Sequence, residues 1–543
     1  MTAILQVFYA FLSSLLQTTA IPNELFLTGS PIVAMFCLSP LYVSAHKSKS
    51  YTLTFLIFAL QTGFVHLFSS FWLGFYRDFA LFTLGASALG TAFIGGFFLS
   101  TAFFLTRPKS TSFLENSQAL RIISFSLVWT FWEYFKSNFG FLSYPWGTLS
   151  MSAYRWLHIT QIADITGSYG ITFLFSLTSS LLGEFFLNPH KPLFRPALSI
   201  ALLYALTLCY GEYRLKEARH IEKQLCAVVV QQNIDPWLDK DDRIGIRRSQ
   251  KLTDSVLSEM SEKADLIIWS EGVLNHSFPN AIPFYSNNPE EEPLLPYIAS
   301  KHTPFLIGGA FTVTPKDVRP RRNSNVALLF DENAEIAGYH AKIHLVPFGE
   351  FIPLPNSQKV KTFLKKVFKI SAGWIPGKEP HLFDINIKQT DENGRKKSVR
   401  FSTPICFEDA FSDIARKMFF QGSELFINIT NDSWSMMKSA EYQHLAIATY
   451  RAIEFRTPMI RATNSGCTAL ILPTGHIVKE LPLFAEYAAH IDLPIYSRTL
   501  TPFALCGDLF ALFLISVIII LALISRVHLF AVDNLSSVQN ELP

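Results

Sequence analysis

The chain has 543 residues, 49% of them hydrophobic and 16% charged, with a mean hydropathy of +0.26, which excludes the three or four soluble domains this length would otherwise suggest. Fifty phenylalanines and only 6 dispersed cysteines exclude disorder, collagen-like repeats and a disulfide scaffold, and a net charge of +3 argues against a nucleic-acid partner. Residues 1–212 hold 17 charged side chains, about 8%, whereas residues 213–502 hold 68, about 23%, so a membrane-like part precedes a water-soluble one.

A membrane span needs about 20 largely apolar residues. The uncharged stretches 1–23 and 25–46 meet at Pro22 and Glu24, which predicts a helical hairpin. A signal peptide would need a basic leading region and a cleavage site, and a second apolar stretch follows at once, so the first helix is expected to be retained. Further spans are predicted over 50–76, 79–106, 122–140, 164–186, 196–211 and 502–525, about eight in all. Lys47, Lys49, Arg107, Lys109, Arg121, Lys191, Arg195 and Arg526 fall in loops of one side, against Arg77, Lys136 and Arg155 on the other. The excess predicts a cytoplasmic N-terminus and a polar block on the periplasmic or equivalent side. Glu133 interrupts one span, either as an interfacial residue paired with Lys136, the reading preferred at this point, or as a buried carboxylate facing a partner or a cavity. The aromatic, Gly- and Pro-containing stretch 139–150 suits an aromatic belt or a re-entrant platform equally well.

The predicted organisation is a transmembrane part over 1–212, a polar domain over 213–501, a last helix over 502–525 and a short tail over 526–543. In the polar domain, apolar runs at 225–232, 265–271, 304–311, 325–331, 400–408 and 424–430 suit strands buried on both faces. Helix-like stretches such as 243–262 and 440–456 lie between them, so an α/β domain with helices covering the sheet is expected. The chain has no Gly-rich phosphate loop and no CxxC pair, which removes nucleotide-binding and zinc-ribbon readings.

Three polar residues stand where the runs end: Glu271 after LIIWS, Lys342 in YHAKIHLVPFGEFIP and Cys406 in STPICFED. Singly, each has a plain explanation as a turn residue or a small buried thiol. Together they make a nucleophile, a base and a cation: a thiol is mostly protonated at neutral pH, and a carboxylate with a nearby cation would activate it. A strand-to-helix turn after Cys406 would aim N–H groups at a developing oxyanion, with Lys342 adding charge. His340 and His344 lie four apart, but no third ligand is evident, so no metal and no cofactor is expected.

These motifs resemble the carbon–nitrogen hydrolase (nitrilase) superfamily, whose signature is a Glu, Lys and Cys set in separate segments. Seven or eight helices before such a domain and one after it resemble the apolipoprotein N-acyltransferase family, as do HLVPFGEFIP, QQNI at 231–234, ITNDSW at 429–434 and YRAIEFRTPMIRATNSG at 450–466. The resemblance implies an α-β-β-α sandwich attached to a membrane helical bundle in the bacterial inner membrane. It also implies two half-reactions. Cys406, activated by Glu271, takes an acyl group from a phospholipid such as phosphatidylethanolamine as a thioester, and the α-amine of a diacylglyceryl-cysteine on an apolipoprotein then takes it over. By resemblance Lys342 binds the oxyanion, Glu350 orients Lys342, and Phe407 and Glu408 complete the wall beside the nucleophile. Trp237 corresponds to an aromatic near the lipid site, at a different offset from QQNI. Phe407 replaces a frequent Tyr, so only its backbone N–H is carried over, and Gly272 and Val273 depart from the pattern after Glu271.

Asn428, Asn431 and Asp432 are expected as turn and sheet-end residues. Of Cys226, Cys406 and Cys467 in the polar domain, only Cys226 with Cys467 could pair while Cys406 stays free. A membrane-tethered amidase giving the acyl group to water, or a lipid-binding or transport protein, are the competing classes. A soluble-amide hydrolase needs no helical platform, and a transporter needs no Glu, Lys and Cys set.

Overall fold

A computed structural model describes residues 1–76, 81–107, 117–235, 239, 241–314, 322–351, 359, 362 and 373–539. The chain divides into two compact units. One comprises Met1–Gly74, Ala80–Lys216 and Cys506–Pro543; the other comprises Phe75–Phe79 and Glu217–Leu505.

Among the described residues of the first unit, five helices are long and apolar enough to cross a membrane: Ala3–Ala20, Tyr51–Ser69, Thr83–Thr106, Tyr169–Leu187 and Phe194–Lys216. The helix Gln118–Ser137 and the apolar stretch Leu509–Ile524 accompany them. The predicted span 25–46 is instead two short helices, Pro31–Phe36 and Ser39–Lys47, because Pro40 starts a fresh helix at its first turn rather than continuing the old one. Charges inside these helices are satisfied locally: Glu184 accepts from Tyr42 Oη at 2.6 Å and Asn188 Nδ2 at 2.7 Å and pairs with Arg121. Glu133 is not an interfacial partner of Lys136. It is fully buried and accepts from the Leu149 N–H at 3.1 Å, Trp129 Nε1 at 3.1 Å and Thr172 Oγ1 at 2.7 Å, while Lys136 donates to the Trp146 carbonyl. The stretch 139–150 forms a short 3-10 turn over Gly140–Leu142 and enters a second over Leu149–Ala153, with Trp146 buried between them.

Small residues set the approach of two of the long helices. A Cβ on Gly96 would sit 2.7 Å from Ala59 Cβ, and one on Gly95 2.6 Å from Thr62 Oγ1. Gly96→Leu is therefore expected to force Tyr51–Ser69 and Ser87–Thr106 apart, at a cost of about 1–3 kcal/mol. Thermal unfolding in detergent measures it; an unchanged melting temperature would show that the two helices do not need this contact.

The second unit is built on strands: β1 (Ile221–Gln231), β2 (Leu266–Trp269), β3 (Leu274–Phe278), β4 (Phe305–Thr312), β5 (Asn323–Phe330) and β6 (Ile336–Ala341), then β7 (Leu382–Thr390), β8 (Lys396–Ser402), β9 (Leu425–Thr430), β10 (Met459–Thr463), β11 (Ala469–Ile471), β12 (Ile477–Glu480) and β13 (Tyr487–Tyr496). Among the described residues they form a seven-stranded sheet ordered β13-β1-β2-β4-β5-β6, with β3 also beside β4, and a six-stranded sheet ordered β12-β11-β10-β9-β8-β7.

Alternation along the strands explains the layering. Leu225, Ala227 and Val229 of β1 and Leu266 and Ile268 of β2 pack against Phe383, Val399, Phe401, Ile427 and Ile460 of the other sheet. The intervening Val228, Val230, Ile267 and Trp269 turn the other way, onto Ile246, Tyr297 and Ile298 of the helices Asp242–Glu259 and Leu294–Lys301. Phe426 on β9 likewise faces away from the inter-sheet core, its ring edge-on to Phe455 of the helix Lys438–Phe455. Each central strand is thus buried on both faces, which is why its sequence reads as a continuous apolar run, and the unit is an α-β-β-α sandwich. All six cysteines are free, so Cys226 and Cys467 form no disulfide.

Candidate active site

The strand ends carry the polar groups. β1, β2 and β4 run parallel, as do β8, β9 and β10, so their C-terminal ends gather at one edge of each sheet. Glu271 lies two residues beyond β2, Lys342 directly follows β6, and Cys406 opens the 3-10 turn Cys406–Ala410 beyond β8. Lys342 Nζ lies 3.3 Å from Glu271 Oε1 and 2.9 Å from Glu350 Oε1. Asn325, at the head of the run on β5, donates through Nδ2 to both carboxylates, at 2.7 Å to Glu271 and 3.1 Å to Glu350. The second oxygen of Glu271 accepts the Asn431 N–H at 2.9 Å, and that of Glu350 accepts the Val346 N–H at 2.8 Å. Each carboxylate is therefore fixed at both ends, and Lys342, 1% exposed, has two anionic partners in place of water.

Cys406 has φ of 49°, a left-handed conformation that costs a non-glycine residue about 1–3 kcal/mol. Hydrogen bonds hold it there. Glu408, fully buried, accepts the Ile405 N–H at 2.8 Å on one oxygen and the Ile343 N–H at 2.6 Å on the other, so it ties the Cys406 turn to the residue following Lys342. Asn428 Nδ2 donates to the Pro404 carbonyl at 3.1 Å. Glu408 thus clamps this turn, and Phe407 beside it packs edge-on against Phe411.

The electrostatics follow from burial and these pairs. Burial pushes the Glu271 carboxyl above the usual carboxylate range, the Lys342 ammonium pulls it back, and Glu350 adds to the rise. Burial also works against the Lys342 ammonium, but the Glu271 and Glu350 carboxylates outweigh it and hold that group well above its ordinary value. Burial and then the Glu271 carboxylate push the Cys406 thiol well up, and Lys342 offsets this only in part. Cys406 therefore rests as a thiol.

His340 and His344 do not share a ligand: His340 Nε2 faces Glu408 Oε2 at 3.1 Å, whereas His344 Nε2 lies 3.4 Å from Asp413 and its ring stacks on Phe411. Among the described residues no group of three His, Cys, Asp or Glu side chains is placed to hold a metal ion. Trp237 lies outside the described residues. A cavity of about 300 Å³ borders Gly272 and Asn431 and is lined by Ile234 and Val273 as well as Asp239, Asp241 and Asp242.

Sequence reasoning did not single out Asn325, nor the buried group Asp432, His444, Asp409 and Arg461 behind Cys406. Asp432 was expected only as a sheet-end residue. It does follow β9, but its Oδ1 lies 3.9 Å from Cys406 Sγ and its Oδ2 2.7 Å from His444 Nδ1. The available signal was the occurrence of Asn325 as a polar residue opening an apolar run.

Residues 226–499 match the carbon–nitrogen hydrolase family, which gives the sandwich its class. Residues 13–181 match the apolipoprotein N-acyltransferase N-terminal domain. Apolipoprotein N-acyltransferase 2 of Treponema denticola is 36% identical over 516 residues, 93% of this chain and 94% of that protein. The apolipoprotein N-acyltransferase of Borreliella burgdorferi is 30% identical over 518 residues, 95% of this chain and 94% of that protein. A solved Saccharomyces cerevisiae member of branch 10 of the nitrilase superfamily is 15% identical and superposes with a TM-score of 0.35 over 51% of this chain and 93% of its own. The chain belongs to the apolipoprotein N-acyltransferase family.

Proposed function

We infer that the chain transfers a fatty acyl group from a membrane phospholipid, through a thioester on Cys406, to the α-amine of a diacylglyceryl-cysteine at the N-terminus of an apolipoprotein. The observation that carries this is the convergence of Glu271, Lys342 and Cys406 from three separate strand ends in a chain of this family. Glu271 takes the proton as Cys406 Sγ attacks the ester carbonyl, Lys342 and the Phe407 N–H stabilise the oxyanion, and the lysophospholipid leaves. The amine then attacks the thioester and yields an amide and a free thiol. Glu350 keeps Lys342 in place through its 2.9 Å contact.

Phosphatidylethanolamine is the donor in this reading, and the polar unit lies on the periplasmic side of a bacterial inner membrane. The basic residues in the short loops and the apolar helices support it. Both substrates are then confined to the bilayer plane, which replaces much of the entropy of a three-body encounter.

The test is mass spectrometry of the Cys406 peptide after incubation with phosphatidylethanolamine vesicles; a fatty-acyl adduct is expected, and its absence during active turnover overturns the assignment. A second outcome follows from the hydrogen bonds of Glu350. Glu350→Gln is expected to lower the rate on the order of tenfold to a hundredfold by loosening Lys342, while the melting temperature falls by only a few degrees. Parallel loss of folding and rate would make Glu350 purely structural.

A further inference from the structure

Cys406 has a second carboxylate beside it that the scheme above does not use. Asp432 Oδ1 lies 3.9 Å from Sγ, while Oδ2 faces His444 Nδ1 at 2.7 Å and Arg461 Nη2 at 3.9 Å. His444 Nε2 is held in turn by Asp409 at 2.8 Å, and Asp409 also pairs with Arg461. One oxygen of Asp432 is thus clamped from behind and the other points to the sulfur.

That placement hinders the first half-reaction, because a neighbouring carboxylate disfavours the thiolate. Its use lies in the second. Acylation removes the S–H, so Oδ1 then faces the thioester without that donor. Charge also matters here: His444 and Arg461 balance Asp409 and Asp432, whereas Lys342 alone faces both Glu271 and Glu350. The acyl-enzyme therefore carries an excess negative charge beside its reactive carbon, a setting that attracts a cation over water.

We propose that Asp432 Oδ1 receives the α-ammonium of the acceptor, so that the acyl-enzyme selects an amine over water; the proposal rests on the thioester reading of Cys406. The ammonium donates one N–H to Asp432 and passes a proton to Glu271, which frees its lone pair. The C–N bond forms, the C–S bond breaks, and of the two protons shed by the nitrogen one restores the Cys406 thiol and the other leaves through Glu271 to water.

The groups facing Asp432 keep it an anion through this cycle. Burial would raise its carboxyl, but His444, then Arg461 and Lys342, outweigh that and hold it low. Asp409 and Asp432 push His444 up to about 10 against burial, so it stays protonated at neutral pH. Glu441, on the same helix as His444, is held well above the carboxylate range by burial and then by Asp432, so it stays neutral.

The test loads full-length enzyme in phosphatidylethanolamine proteoliposomes and follows two acceptors, a synthetic diacylglyceryl-cysteine peptide and hydroxylamine, which is uncharged at neutral pH. Asp432→Asn is expected to lose transfer to the peptide on the order of tenfold more than it loses transfer to hydroxylamine, and the gap narrows as rising pH deprotonates the peptide amine. Equal losses for both acceptors overturn the proposal. A second measurement uses wild-type enzyme alone. The same peptide with an N,N-dimethylated terminus, cationic but unable to end as an amide, is expected to compete on the order of tenfold better than its N-acetylated form; equal competition overturns the proposal. Absence of any thioester on wild-type Cys406 instead overturns the acyl-enzyme reading beneath it.

Discussion

Cys406→Ala is expected to leave the protein folded and membrane-inserted but to reduce acyl transfer to background, a loss on the order of 10⁴-fold or more. Removing one sulfur from a partly buried position leaves both sheets and the Glu408 clamp intact, so the stability change should stay within about 1 kcal/mol. The measurements are acylated peptide formed per hour and the melting temperature of the same preparation. Retained transfer would show that the thioester route is wrong. A collapsed melting temperature would move the comparison to Cys406→Ser, which keeps a side-chain donor at the same left-handed position and is expected to be equally inactive toward phospholipid.

Glu271→Gln has the second-largest expected effect, a loss on the order of 10²- to 10⁴-fold in the acylation step, the range expected when a positioned base is removed. The amide keeps the length of the side chain and can still accept from Asn325, and of the contacts to Glu271 it gives up the one from the Asn431 N–H. It also has a pH signature. Glu271 acts when deprotonated, and burial raises its pKa above the usual carboxylate value, so in wild type the rate should rise with pH through a limb lying above about 4.5. In Glu271→Gln that limb should disappear. A limb that persists unchanged would assign the titration to another group.

Much of this architecture is legible in the primary structure because its determinants are local or periodic. The uncharged stretches mark membrane helices without reference to anything else, and LIIW on β2 and LFINIT on β9 must be covered on both faces wherever they lie. Glu271, Lys342 and Cys406 stand out because a strand end is a local feature and their residue types are chemically complementary. The break between Pro31–Phe36 and Ser39–Lys47 was also written locally, in Pro40, but hydropathy over a span-length window averages it away.

What the sequence determined by itself, then, is the division into apolar and polar parts, the layered α/β class and three candidate side chains. Only the tertiary structure decided how their charges are balanced. Asn325 joins Glu271 to Glu350 across 54 and 25 residues of chain, Glu408 ties Cys406's turn to the segment after Lys342, and Asp432 meets His444, Asp409 and Arg461 from separate elements. Glu133 was open for the same reason, since its partners on Leu149 and Thr172 belong to other segments. A buried charge is stable only among specific donors and counter-charges within a few ångströms, and long-range folding alone determines which ones those are.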